Sequence, residues 1–159
     1  MSVALVLAAV AGGILSRSLR HTGASGGSVM QSRVLVLFNQ QRAARGLHAL
    51  SADPDLVRAA TSHSVDMLRR GYFAHDGPQG AWDTRIRQYV KSRMVAEILS
   101  YGSGSYATPG GMVTAWMRSP EHRRVILAPG LRLVGLGVAT GTYRGQHSVA
   151  LATADFSAG

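Results

Sequence analysis

Residues 51–78 read SADPDLVRAATSHSVDMLRRGYFAHDGP and carry the clearest structural signal in the chain. Asp53 is a good helix N-cap and Pro54 suits the first helical position, where its missing N–H costs nothing. Leu56, Val57, Ala60, His63, Ser64, Met67 and Leu68 then recur at the spacing of one amphipathic helical face. Gly71 supplies a stop. His63 falls on the apolar stripe, so it reads as a hydrogen-bonded core histidine. Residues 72–81 form a Gly/Pro-rich loop. In it, His75 follows Tyr72 and Phe73 and precedes a Gly-Pro turn, a setting that can hold a ring at a cleft edge. Tyr72, Phe73 and Trp82 are candidates for the rim of that cleft, with aromatic core packing the commoner fate.

Upstream, residues 29–45 read as a helix with Val34, Leu37, Phe38 and Gln41 on one stripe and Gly46 as its stop. Asn39 and Arg42 of that helix are expected to make structural hydrogen bonds. Downstream, residues 83–89 suggest a short helix, 94–99 a short strand, and 100–111 a Gly/Ser-rich loop. Residues 112–118 continue as a helix. Ser119 then caps a new one, with Pro120 at its first position. Residues 131–139 and 148–156 read as strands joined by the turn-rich GTYRGQ. Helices come first and a hairpin last, so the class is α+β, with helices packed on a small antiparallel sheet.

The chain has 159 residues, 46% of them hydrophobic, which is one domain's worth of chain and ample for a core. No apolar run reaches 18 residues, which excludes a polytopic membrane protein. Cysteine is absent, excluding disulfides, Cys-ligated metals and a thiol nucleophile. The charge is +9 from 17 basic and 8 acidic residues, and every basic residue but Lys91 is Arg. This surplus admits attraction to a polyanion such as cell-wall polymer. The Arg residues are scattered, however, and no aromatic-interleaved basic run appears, so nucleic acid is not the expected partner. Residues 3–15, VALVLAAVAGGIL, have the length of an export-signal core and are short for a membrane span. No Lys or Arg precedes them. The expected organisation is an export signal or N-terminal anchor with a flexible linker over residues 1–28 and a folded domain over 29–159.

Several stretches taken together resemble the CAP superfamily of cysteine-rich secretory, antigen 5 and pathogenesis-related 1 proteins, and more closely its bacterial, cysteine-free branch. They are LFNQQRAARGLHAL, the helix and loop quoted above, AEIL, AWMRSPEHRRVIL, LRLVGLGVA and ATADF, in the family's order over about residues 34–156. The resemblance implies a three-layer α/β/α sandwich with a central antiparallel sheet. It also implies a cleft in which His75 and His122 fall on the two cleft histidines and Glu97 on a cleft glutamate. A second cleft glutamate has no match, and Ser119 stands about where it would be. Ala96 and Ile98 replace the usual Gly and Asn around Glu97.

At the third position of its helix, His122 meets the positive end of the helix dipole, which disfavours imidazolium. A neutral ring can ligate a metal or accept a proton. Glu121, one residue earlier, is read as a plain helix-terminus anion. Glu97 lies in the apolar run 94–99 and needs a partner if buried: His75, His122 or an Arg. Trp116 and Met117 are expected to pack beneath the cleft. His75 and His122 are the candidate ligands for a weak divalent site completed by water, zinc being the metal the resemblance suggests. No local HExxH or GxSxG motif is present, and no catalytic triad is assigned. The leading expectation is a secreted or surface-anchored domain whose cleft binds a small-molecule, lipid or cell-wall ligand. The alternatives are a metal-assisted hydrolase of peptide or cell-wall material and a basic polyanion binder.

Overall fold

The computed structural model describes residues 22–159 other than Gln79. The expected export signal or anchor therefore lies outside the described residues. Among the described residues no helix is long and apolar enough to cross a membrane.

Helix α1 spans Thr22–Ala43. It opens ahead of residue 29, so the Gly/Ser-rich residues 22–28, read from composition as linker, run within its first two turns. Val34 and Phe38 are buried on its inner face. Arg42 is fully buried without an acidic partner among the described residues. Its guanidinium donates instead to the carbonyls of His48 (2.7 Å), Ile126 (2.7 Å), Ala128 (3.0 Å) and Leu131 (3.2 Å). Asn39 exchanges two hydrogen bonds with the Leu50 backbone, at 2.9 and 2.8 Å. Both residues thus have the structural roles expected of them: they tie α1 to the chain that leaves it and to the segment before the last hairpin.

Helix α2 spans Pro54–Arg70. Asp53 Oδ1 accepts from the amides of Asp55 and Leu56, both at 2.9 Å. Gly71, at φ 72°, closes the helix by donating its N–H to the Met67 carbonyl. A cap of this kind is worth about 1 kcal/mol. Helix α3 (Trp82–Arg87) is short, α4 (Pro109–Arg118) is capped by Thr108, and α5 (Pro120–Ile126) is capped by Ser119. A 3₁₀ turn, Gly104–Ala107, occupies part of the segment expected as loop.

The strands are β1 (Ser51–Ala52), β2 (Val95–Gly102), β3 (Leu133–Tyr143) and β4 (Gln146–Ser157), in the sheet order β1-β3-β4-β2. β3, β4 and β2 are antiparallel as expected, and the two-residue β1 adds a parallel pairing to β3. The hairpin is tighter than its turn-rich sequence suggests. Arg144 and Gly145, both at positive φ, make the whole turn, a geometry matched to the twist of paired strands.

Alternation along the strands divides the core. Ile98, Val134, Leu136, Ala152, Ala154 and Phe156 face α1, α4 and α5, where Phe38 and Trp116 fill the layer. Leu99 and Leu151 face α2 with Met67. On the α2 side, Gly135 and Gly137 of β3 let the helix backbone lie directly on the sheet. A Cβ at Gly135 would meet the Leu56 carbonyl carbon at 2.1 Å, and one at Gly137 the Ala60 carbonyl carbon at 2.2 Å. Ser64 Oγ fixes the same contact by reaching the Gly137 carbonyl at 3.1 Å and Thr153 Oγ1 at 2.9 Å.

This close approach predicts that Gly137→Ala lowers stability by at least about 1–3 kcal/mol, because the colliding atoms are backbone. Gly110→Ala, which meets no atom within 4 Å, should be neutral or gain up to about 1 kcal/mol. Denaturant unfolding of the two variants checks this, and equal stabilities would contradict the packing described.

Candidate functional site

β2 is one of the two edge strands of the sheet, and α3, α4 and α5 all touch it. Glu97, in its middle, points to the α2 side together with Leu99, and its side chain has no exposed surface. A carboxylate in that position is costly unless its oxygens are met. They are both met. Oε1 accepts from His75 Nδ1 at 2.8 Å, and Oε2 forms an ion pair with Arg85 Nη2 of α3. Of the three partners left open by the sequence, His75 and an arginine are the ones found.

Arg85 is itself buried, 8% exposed at the side chain, and its other terminal nitrogen reaches Asp155 Oδ2 of β4 at 3.4 Å and the Ala59 carbonyl at 3.5 Å. Glu97 and Asp155 are register partners on neighbouring strands, so both carboxyls project from the same face. Burial, and then the Glu97 charge, push the Asp155 carboxyl well above the usual carboxylate range. Arg85 and Asp155 are not among the candidates read from the sequence. Asp155 carries the same signal that singles out Glu97, an acid inside an apolar strand. Arg85 carries no such signal, because an arginine in a short polar helix looks like any surface residue.

His75 is half-exposed, with 49% of its side chain accessible. Among the described residues its Nε2 has no hydrogen bond, while Nδ1 is committed to Glu97. With the ring neutral and Nδ1 donating, Nε2 carries the lone pair. The hydrogen bond to Glu97 is also the main reason its basicity is raised. His122 behaves in the opposite way. It is half-buried at the third position of α5, where its amide donates to Ser119 Oγ at 3.4 Å. Burial lowers its pKa most, and the nearby charge of His75 lowers it further. His63 lies behind the site as a core histidine, its Nε2 3.0 Å from the Ala74 carbonyl and 3.9 Å from Glu97 Oε2. Burial, then Arg85, lowers its pKa.

Tyr72 and Phe73, on the N-terminal side of His75, are both half-buried and held by neighbours. Tyr72 donates its hydroxyl to Asp66 at 2.8 Å, with its pKa raised to about 12 by burial and that bond. Phe73 meets Tyr101 edge-on at 4.8 Å. Trp116 lies in the opposite layer and donates Nε1–H to the Leu99 carbonyl at 2.9 Å, which props β2 from beneath. Among the described residues no three His, Asp or Glu side chains group so as to hold a metal. Both Glu97 oxygens are already taken, by His75 and Arg85.

The model of the cysteine-rich secretory protein family, CAP, matches residues 35–153. The chain is 31% identical over 112 residues to the uncharacterized protein YkwD of Bacillus subtilis, covering 69% of this chain and 42% of YkwD. It thus spans less than half the length of that relative. Its fold resembles that of an extracellular protein containing a SCP domain from Bacillus anthracis (TM-score 0.70, 24% identity, 89% of this chain and 45% of that one). It also resembles an outer surface protein from Borrelia burgdorferi (TM-score 0.65, 18% identity, 78% of this chain and 90% of that one).

The opposed environments give an order of titration. A raised folded value means that the His75–Glu97 contact stabilises fully below the ordinary imidazole pKa and is lost as pH rises through the folded one. For His63 and His122 the sign reverses, and the folded state loses stability as pH falls below the ordinary value. In an NMR titration of the ring resonances, His75 should deprotonate last of the three, above pH ~6.5. His122 or His63 deprotonating after His75 would contradict these environments.

Proposed function

This chain belongs to the cysteine-rich secretory protein family, and on that footing we propose that it is a secreted or envelope-associated binding domain whose cleft takes its ligand on the imidazoles of His75 and His122. The observation that carries this reading is the pairing at His75. A half-exposed ring has one nitrogen pinned by a buried carboxylate, and the other makes no hydrogen bond among the described residues. A ring that served only packing would have no need of a buried ion pair behind it. The extracellular and outer-surface character of the two structural relatives supports a place outside the cytoplasm.

We further propose that the same residues take a divalent ion, zinc being the metal the resemblance suggests. His75 Nε2 and His122 would hold it, and Glu97 would orient His75 from behind through Nδ1. Such an ion would supply a Lewis acid at the cleft. The protein's own part is to keep His75 in one tautomer and His122 uncharged, which are the forms that donate a lone pair.

Calorimetric titration of zinc into the chelator-treated chain tests the reading. Wild type should bind one ion. Glu97→Gln should weaken binding by about 10–100-fold, the usual effect of losing an orienting partner. The His75→Ala/His122→Ala double variant should abolish it, and zinc affinity that survives this pair of changes would remove the proposed site.

A further inference from the structure

Two fully buried carboxyls face each other across neighbouring strands with one guanidinium between them. Glu97 needs only one cation, and Arg85 Nη2 supplies it. The second carboxyl, Asp155, is therefore unexplained by the cleft chemistry alone. Its position shows what it does to Arg85. The guanidinium is a rigid fork on a flexible stem, and a single contact leaves it free to swing. Here Nη2 lies on Glu97 and Nη1 on Asp155 Oδ2, two points fixed by the β2–β4 register. Ala59 of α2 adds a carbonyl to the same nitrogen.

We propose that Asp155 is a positioning residue for the cleft, anchoring Arg85 so that the guanidinium fixes Glu97 and Glu97 in turn fixes the tautomer and aim of His75. This rests on the cleft reading above, which makes His75 the working ring. Its test reads that ring directly, so the two readings fail separately. The chain of contacts runs from the fully buried floor to the half-exposed ring: Asp155 to Arg85, Arg85 to Glu97, Glu97 to His75.

The charges around Asp155 fit a neutral acid in this role. The groups facing it are Glu97 from β2 and Arg85 from α3. His63 of α2 stands 3.9 Å from Glu97 Oε2 and is held uncharged by burial. Two carboxylates against one guanidinium would leave a net negative charge in a dry layer. A protonated Asp155 removes that charge while its Oδ2 still accepts from Arg85. Its Oδ1 has no hydrogen-bond partner among the described residues, which costs less on an uncharged carboxyl than on an ionised one.

An amide can imitate a neutral acid here, since the Asn oxygen can still accept from Arg85 without carrying a charge. Leucine cannot. The readout is the His75 tautomer, taken from long-range ¹H–¹⁵N correlation of the ¹⁵N-labelled 159-residue chain at a pH where the ring is neutral. Wild type and Asp155→Asn should both show His75 as the Nδ1–H form. Asp155→Leu should drift toward the Nε2–H form that free histidine prefers. An Asp155→Leu variant that keeps the wild-type tautomer overturns the proposal. So does an Asp155→Asn variant as disturbed as the leucine one. If the leucine variant does not fold, wild type still decides. On titration the Asp155 carboxyl ¹³C should change only above the ordinary carboxylate range. Ionisation within that range would overturn the proposal.

Discussion

The Glu97 carboxylate lies inside a sheet with none of its side chain exposed, and the geometry of the cleft follows from how that charge is met. One oxygen takes a histidine from a loop and the other takes an arginine from a short helix. Neither partner is near Glu97 in sequence, so the pairings draw the 72–81 loop and α3 onto the edge strand together. A buried pair of this kind is not strong evidence of added stability, because desolvation offsets much of the attraction. Its consequence is positional. It leaves the other nitrogen of His75 as the part of the ring that can meet a ligand.

The rest of the fold holds that arrangement in place. α2 can lie with its backbone on the sheet because β3 offers glycine at the two positions beneath it. Gly135 and Gly137 are the register partners of Asp155 and Thr153, so those two side chains stand on the same face of the sheet, beside the α2 backbone. Thr153 meets Ser64 and Asp155 meets Arg85, one fixing the helix and the other the floor of the site. On the far side, Trp116 donates to the Leu99 carbonyl, two residues from Glu97. β2 is thus supported from both layers at the point where the cleft crosses its edge.

Much of this was legible in the sequence wherever a residue's role is local. The Asp53 and Ser119 caps, the Gly71 stop and the buried stripe of α2 follow from short-range rules and appear as read. His63 behaves as a core histidine because its place on the apolar stripe already determined its surroundings. What escaped was non-local. β1 is two exposed residues with no periodicity to announce a strand, and it exists because β3 offers it an edge. The Gly/Ser-rich start of α1 looks like linker by composition. Asp155 could have been found by the reasoning applied to Glu97, since both are acids in apolar strands, and only the register makes them neighbours. Arg85 could not, because its burial is a property of the assembled layers.

The most direct test of this account is a double-mutant cycle on the buried pair, measured by denaturant unfolding at neutral pH. Arg85→Met and Glu97→Gln each remove one partner. The Arg85→Met change, which strands the carboxylate, should cost about 3–5 kcal/mol. The double variant should be more stable than the sum of the two single losses implies, by more than about 1 kcal/mol. Losses that simply add would mean that Arg85 and Glu97 do not depend on each other, and the account of how the cleft is held would be wrong.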